Sequence, residues 1–186
     1  MAVSDTQKID LLFKKLFGVS KTDTATNKSP SNESILSPQL NRGDKIWTRS
    51  TEIPLIAAQI SGITQSYQGT SRVQCVADTT SNPINGVYPT WKTQLADWIP
   101  PEFGSGYFVK VYVDSSGAVN PASTGTQLFD SGTAGVGEWH FDYQAGILNF
   151  IGNTIPSSLT TNKVIMVMGY RYVGEVGLKT VYGGTF

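Results

Sequence analysis

Residues 138–151, reading EWHFDYQAGILNFI, constrain this chain more than any other stretch. Trp139, Phe141 and Tyr143 alternate with Glu138, His140 and Asp142. Side chains on a strand change face at every residue, so the pattern predicts a half-buried strand with an aromatic inner face. Gln144-Ala145-Gly146 breaks the alternation and Ile147 to Ile151 restores it. A turn closing on a glycine in the left-handed region fits the gap, because Gly146 has no Cβ to clash there. The stretch is therefore read as a β-hairpin whose aromatic face nucleates a core and whose polar face is surface, free or pressed against a neighbouring subunit.

Other segments follow the same two-residue period. Tyr107, Val109, Val111 and Val113 share one face of YFVKVYV, and Val73, Cys75 and Ala77 share one face of residues 71–77. Residues 163–173, KVIMVMGYRYV, are apolar on both faces around Val164 to Met168, as in a strand covered on both sides. Ile46-Trp47 and Leu128-Phe129 are expected to open short strands, and residues 55–64 lean toward strand. Asn82-Pro83 and Asn85-Gly86 mark a loop over 78–89. Thr90 to Trp98 is expected to be a short helix capped by Thr90, with Trp91, Leu95 and Trp98 at i, i+4 and i+7, ended by Pro100-Pro101. Short strands separated by turn signals predict a mainly β fold, a jelly-roll-like β-sandwich over residues 46–186.

The N-terminus differs in kind. Ile9, Leu12, Phe13, Leu16 and Phe17 recur at helical spacing in residues 5–17. Ser4 and Gln7 form a capping box and Gly18 is placed to stop the helix. So short a helix is marginal alone in water and must bury that stripe, against its own body or a partner. Residues 19–45 are rich in Ser, Thr, Asn, Asp and Lys, without periodicity, and read as an extended arm. An unstructured stretch of this length is unusual inside a compact domain. The expected organisation is an attachment helix over 1–18, an arm over 19–45 and a β body. The five stripe residues are the candidate partner-docking set.

Charge points the same way. Charged residues make up 15% of the chain, against about a quarter in ordinary domains. Residues 51–186 hold six Lys or Arg and nine Asp or Glu. Interface cores are depleted in charge, so a sparse body suits a protein covered in an assembly. No basic cluster invites nucleic acid, no stretch is long and apolar enough for membrane insertion, and no leader precedes an apolar run. A product assembled in a cytoplasm is expected.

Chemistry has little to work with. The single cysteine, Cys75, forms no internal disulfide and reads as a small buried hydrophobe. His140 lies between Glu138 and Asp142 on one polar strand face, but positions i and i+4 on a strand are about 13 Å apart, too far for paired carboxylates. Nucleophile-elbow, zinc-protease and phosphate-loop motifs are absent from the sequence. No catalytic residue, metal site or cofactor is expected. Aromatic side chains with polar tips suit sugar stacking, which makes Tyr88, Trp91 and Trp98 candidate glycan contacts against the alternative of core packing.

Trp139-His140-Phe141-Asp142-Tyr143-Gln144-Ala145-Gly146-Ile147-Leu148-Asn149-Phe150 resembles a hairpin common in virion structural proteins of tailed bacteriophages. Tyr170-Arg171-Tyr172-Val173-Gly174 is similar to a recurring strand end in them, and helix plus arm ahead of a β domain is similar to how their tail, neck, baseplate and fibre subunits attach. The resemblance spans residues 105–175. It implies a structural subunit of the virion, commonly a homotrimer, bound to other virion proteins through the helix and arm. Recognition of a host surface glycan is the alternative, and a glycan-degrading enzyme the third.

Overall fold

The computed structural model describes residues 45–130, 137–151 and 155–177. The helix and arm expected before Lys45, with the candidate docking residues Ile9, Leu12, Phe13, Leu16 and Phe17, lie outside the described residues.

The described chain is mainly β. Its strands are β1 (Thr64–Tyr67), β2 (Val73–Gln74), β3 (Val76–Ala77), β4 (Thr90–Lys92) and β5 (Lys110–Ser115). After one helical turn, α1 (Pro121–Thr124), come β6 (Thr126–Leu128), β7 (Trp139–Asp142), β8 (Ile147–Phe150) and β9 (Lys163–Tyr172). They form two antiparallel sheets. One has the order β1-β9-β5-β6, with β2 also paired to β9; the other has the order β3-β4-β8-β7.

The long strand β9 is central to its sheet, flanked by β5 on one edge and by β1 and β2 on the other. Its apolar character on both faces has a use on each. Ile165 and Val167 enter the main core, while Met166 and Met168 pack with Tyr112 on the opposite face. The main core draws Val109, Val111, Val113 and Leu128 from the first sheet's side, and Trp91, Trp139, Phe141, Leu148 and Phe150 from the second.

Residues 73–77 carry the chain from one sheet to the other. Val73-Gln74 pair with β9, Val76-Ala77 pair with β4, and Cys75 between them donates its N–H to the Ile165 carbonyl at 2.8 Å. Cys75 is 2% exposed, and burial pushes its thiol pKa far above the ordinary range. The folded protein is therefore expected to resist thiol reagents at pH 8, with Cys75 labelled only as fast as the protein unfolds. A stoichiometric label on folded protein within minutes would contradict this placement.

The hairpin forms as its alternation predicts. Trp139 and Phe141 are buried, Tyr143 is half-buried, and His140 and Asp142 are exposed. Asp142 shapes the turn: its Oδ1 accepts the N–H groups of Gln144 and Ala145, each at 2.9 Å. Gly146 closes it at φ +67° and returns its N–H to the Asp142 carbonyl at 2.7 Å.

Three local expectations are corrected. Thr90 to Trp98 is not a helix. Thr90–Lys92 pairs between β3 and β8, after which Gln94 and Asp97 take positive φ. The i, i+4, i+7 spacing of its aromatics therefore belongs to a strand followed by a tight loop. Residues 55–63 form no strand; Gly62 at φ +72° turns the chain just ahead of β1. Ile46-Trp47 starts no strand either, and Trp47 makes a single bridge to Val176.

Candidate docking surfaces

The segment after β4 ties the hairpin tip to the end of β9. Thr93 N–H donates to the Gly146 carbonyl (2.9 Å), Asp97 N–H to Gln144 (3.0 Å) and Trp98 N–H to Tyr143 (2.8 Å). Ile99 N–H donates to the Tyr170 carbonyl, and Tyr172 N–H to that of Asp97. Arg171 Nε donates to the Ala96 carbonyl. Residues 93–99 are thus a clasp between the two sheets, with the Trp98 ring fully buried beneath it.

Beside the clasp, the incoming and outgoing ends of the described body run together. Thr48 N–H donates to the Glu175 carbonyl, and Gly177 N–H to the Ile46 carbonyl at 2.8 Å. Trp47 stacks on Tyr172 with ring centroids 4.6 Å apart, and its Nε1 donates to Asp97 Oδ1 at 3.2 Å. The Tyr172 hydroxyl donates to the Glu175 carbonyl and accepts the Arg49 N–H. A groove of about 440 Å³ runs past Lys45, Trp47, Asp97, Phe103 and Tyr143. Whatever residues 1–44 do, they connect to the body at a packed aromatic root.

Elsewhere the described surface carries two apolar features. One is the loop around Leu55 and Ile56, which are 82% and 85% exposed, the highest values among its large apolar side chains. The other is a cleft of about 400 Å³ walled by Phe108, Leu128, Phe129 and Trp139, with Lys110 and Asp130 in its lining. Trp139 is 5% exposed, and its buried indole Nε1 donates to no acceptor.

At the end of the body remote from the clasp lies loop 78–89. Asp78 organises it, accepting the Thr80 N–H and hydroxyl and pairing with Lys92 Nζ at 2.8 Å. Donation from Lys92, then from Thr80, lowers the Asp78 pKa to about 2. An unfolded aspartate titrates at about 4. A depressed carboxylate stabilises fully above its unfolded pKa and loses that contribution as pH falls through its folded one. The Asp78 contribution is therefore complete above about pH 4 and gone below about pH 2. Asp78→Asn should flatten the stability–pH curve in that window, read by urea denaturation at several pH values; an unchanged slope would refute the assignment.

The sequence candidates separate clearly on this fold. Trp91 and Trp98 are 6% and 0% exposed, so neither presents a ring face to a sugar. Trp91 instead donates its indole N–H to the Tyr88 carbonyl. Only Tyr88, half-buried beside loop 78–89, retains any accessible surface for such a role. His140, Glu138 and Asp142 share a strand face without converging, and among the described residues no group of three or more His, Cys, Asp or Glu is placed to hold a metal ion. Sequence reasoning missed both the Leu55–Ile56 loop and the Trp139 cleft, because each depends on which apolar residues the fold leaves uncovered. Comparison with known proteins finds no matching family model and no significantly similar curated protein or solved structure.

Proposed function

We propose that this protein is a structural subunit of a tailed-bacteriophage virion, an oligomeric tail, neck, baseplate or fibre component with a jelly-roll-like β-sandwich body. Its helix and arm dock on other virion proteins, and its work is assembly rather than catalysis. One observation carries the reading: the chain leading from residues 1–44 is rooted at one pole, where Ile46 and Thr48 pair with Gly177 and Glu175 and Trp47 stacks on Tyr172. Pull on the arm would be delivered to the clasp and β9, both continuous with the core. The low body charge and the uncovered apolar loop and cleft support burial in an assembly.

Light scattering on the full chain tests the oligomer, a trimer being the expected mass. Localisation in a particle map tests the rest. A strict monomer that binds no virion component would sink the proposal.

Glycan recognition is the second reading, favoured by the polar, nearly uncharged loop 78–89 at the pole away from the arm root, with Tyr88 beside it. It requires that Tyr88→Ala abolish binding on a glycan array and leave the fold intact. No glycan binding by the parent protein would remove it.

A further inference from the structure

Leu55 and Ile56 are exposed but not loosely held. The Tyr107 hydroxyl donates to the Pro54 carbonyl at 2.7 Å, and the Thr64 hydroxyl donates to the Ala58 carbonyl. Ile53 is buried in a cluster with Ile63, Ile99, Tyr107 and Tyr172. Gly104 lies so close to the Leu55 carbonyl that a Cβ there would collide with it. A Cβ on Gly106 would sit 2.9 Å from Ala57 Cβ. The loop is therefore a firm apolar knob, and a preorganised knob loses little conformational freedom on binding.

The cleft begins on the other side of the same glycine. Gly106 lines it together with Phe108 and Phe129, which are 44% and 64% exposed. At its wall sits Trp139, whose buried Nε1 has no acceptor. Buried donors are nearly always paired, so an unpaired one marks a surface that gains when a partner brings an oxygen.

We propose that the two features meet between subunits: Leu55 and Ile56 of one copy seat in the Phe108–Phe129–Trp139 cleft of a second copy. The inference rests on the oligomer proposed above and names its contact. Several observations select this occupant. Both halves of the contact are present in one chain, and the knob cannot enter its own cleft, because its base is packed at Gly106 on the rim. Lys110 and Asp130 give the lining one charge of each sign, so a second copy meets no net repulsion. A sugar would want polar groups where the knob offers two aliphatic side chains. A knob and a socket side by side on one flank suit a closed ring or pair about an axis through that flank, whereas placement on opposite faces would suit an open filament.

The test uses the full chain. Leu55→Asp with Ile56→Asp breaks the knob, and Phe129→Asp breaks the socket. All are exposed positions, so thermal melts should match the parent's monomeric unit. Light scattering across a concentration series should show either variant dissociating at concentrations where the parent is assembled, with the dissociation constant raised at least about 30-fold, as for a central apolar anchor. Independently, Ile56→Cys protein mixed with Phe129→Cys protein should form a disulfide-linked pair on mild oxidation, with little from either alone; Cys75 is buried and takes no part. A parent oligomer that survives both aspartate variants and gives no mixed cross-link overturns this contact and leaves the virion reading standing. An unchanged oligomer whose variants no longer bind the virion assigns the patch to a different protein and also overturns it. A parent that is monomeric at every concentration removes the oligomer and this contact together.

Discussion

Gly146→Ala is expected to lower unfolding free energy by about 3–5 kcal/mol, among the larger effects a single methyl group can have. Two causes combine. Gly146 holds φ +67°, where an alanine costs roughly 1–2 kcal/mol. More importantly, a Cβ there would collide with the Leu95 carbonyl oxygen and Thr93 Oγ1 and lie 2.9 Å from Trp98 Nε1. Backbone and a buried, hydrogen-bonded hydroxyl cannot move aside cheaply, so the clasp itself must lift. Gly117 supplies the control. Its φ is +80° and nothing lies within 4 Å of its Cβ position, so Gly117→Ala should cost only the conformational part, about 1–2 kcal/mol. Urea denaturation of both variants, with the parent slope retained, measures the difference. Equal losses at the two sites would show that the clasp exerts no steric demand on the hairpin turn.

That glycine marks how far the sequence could be read. The turn was legible because its demand is local: alternation on both sides and a residue free of Cβ. The closeness of Leu95 and Thr93 was not, since it arises from a contact some fifty positions away in the chain, where Thr93 donates to the Gly146 carbonyl (|i−j| = 53). The same division runs through the fold. Val109, Val111 and Val113 lie inward as their period requires, and β9 is apolar on both faces and central. Residues 90–98 were misread as helix because Trp91, Leu95 and Trp98 are all apolar for different reasons: a strand residue, a loop residue and the plug of the clasp. Nothing local distinguishes those roles. The knob was equally hidden, since Leu55 and Ile56 look like interior residues until Tyr107, Gly104 and Gly106 pin their backbone at the surface. The glycan candidates failed on the same ground, an aromatic side chain in a sequence being silent about whether its face is covered.

Trp98 carries the second large effect. Its side chain is fully buried, edge-on to Phe141 at 5.7 Å and tilted against Tyr67 at 5.5 Å. Gly169 makes room for it in β9, where a Cβ would lie 3.1 Å from the ring; a glycine inside a strand commonly marks such an approach. The indole N–H donates to the Leu95 carbonyl at 3.0 Å and to Thr93 Oγ1 at 3.2 Å. Trp98→Ala should therefore cost about 3–5 kcal/mol, from lost transfer energy and the cavity left behind. Trp98→Phe keeps much of the packing but strands the Leu95 carbonyl, and should cost about 1–3 kcal/mol. Native-state hydrogen exchange separates clasp from core. In Trp98→Phe, protection should fall at the amides of Thr93, Asp97 and Trp98's replacement, which bond the hairpin tip, while the amides pairing β5 with β9 keep the global value. Uniform loss across both groups would mean that residues 93–99 are no separate fastening but one cooperative unit with the sheets. Force arriving at the arm root would then have no weaker joint to open first.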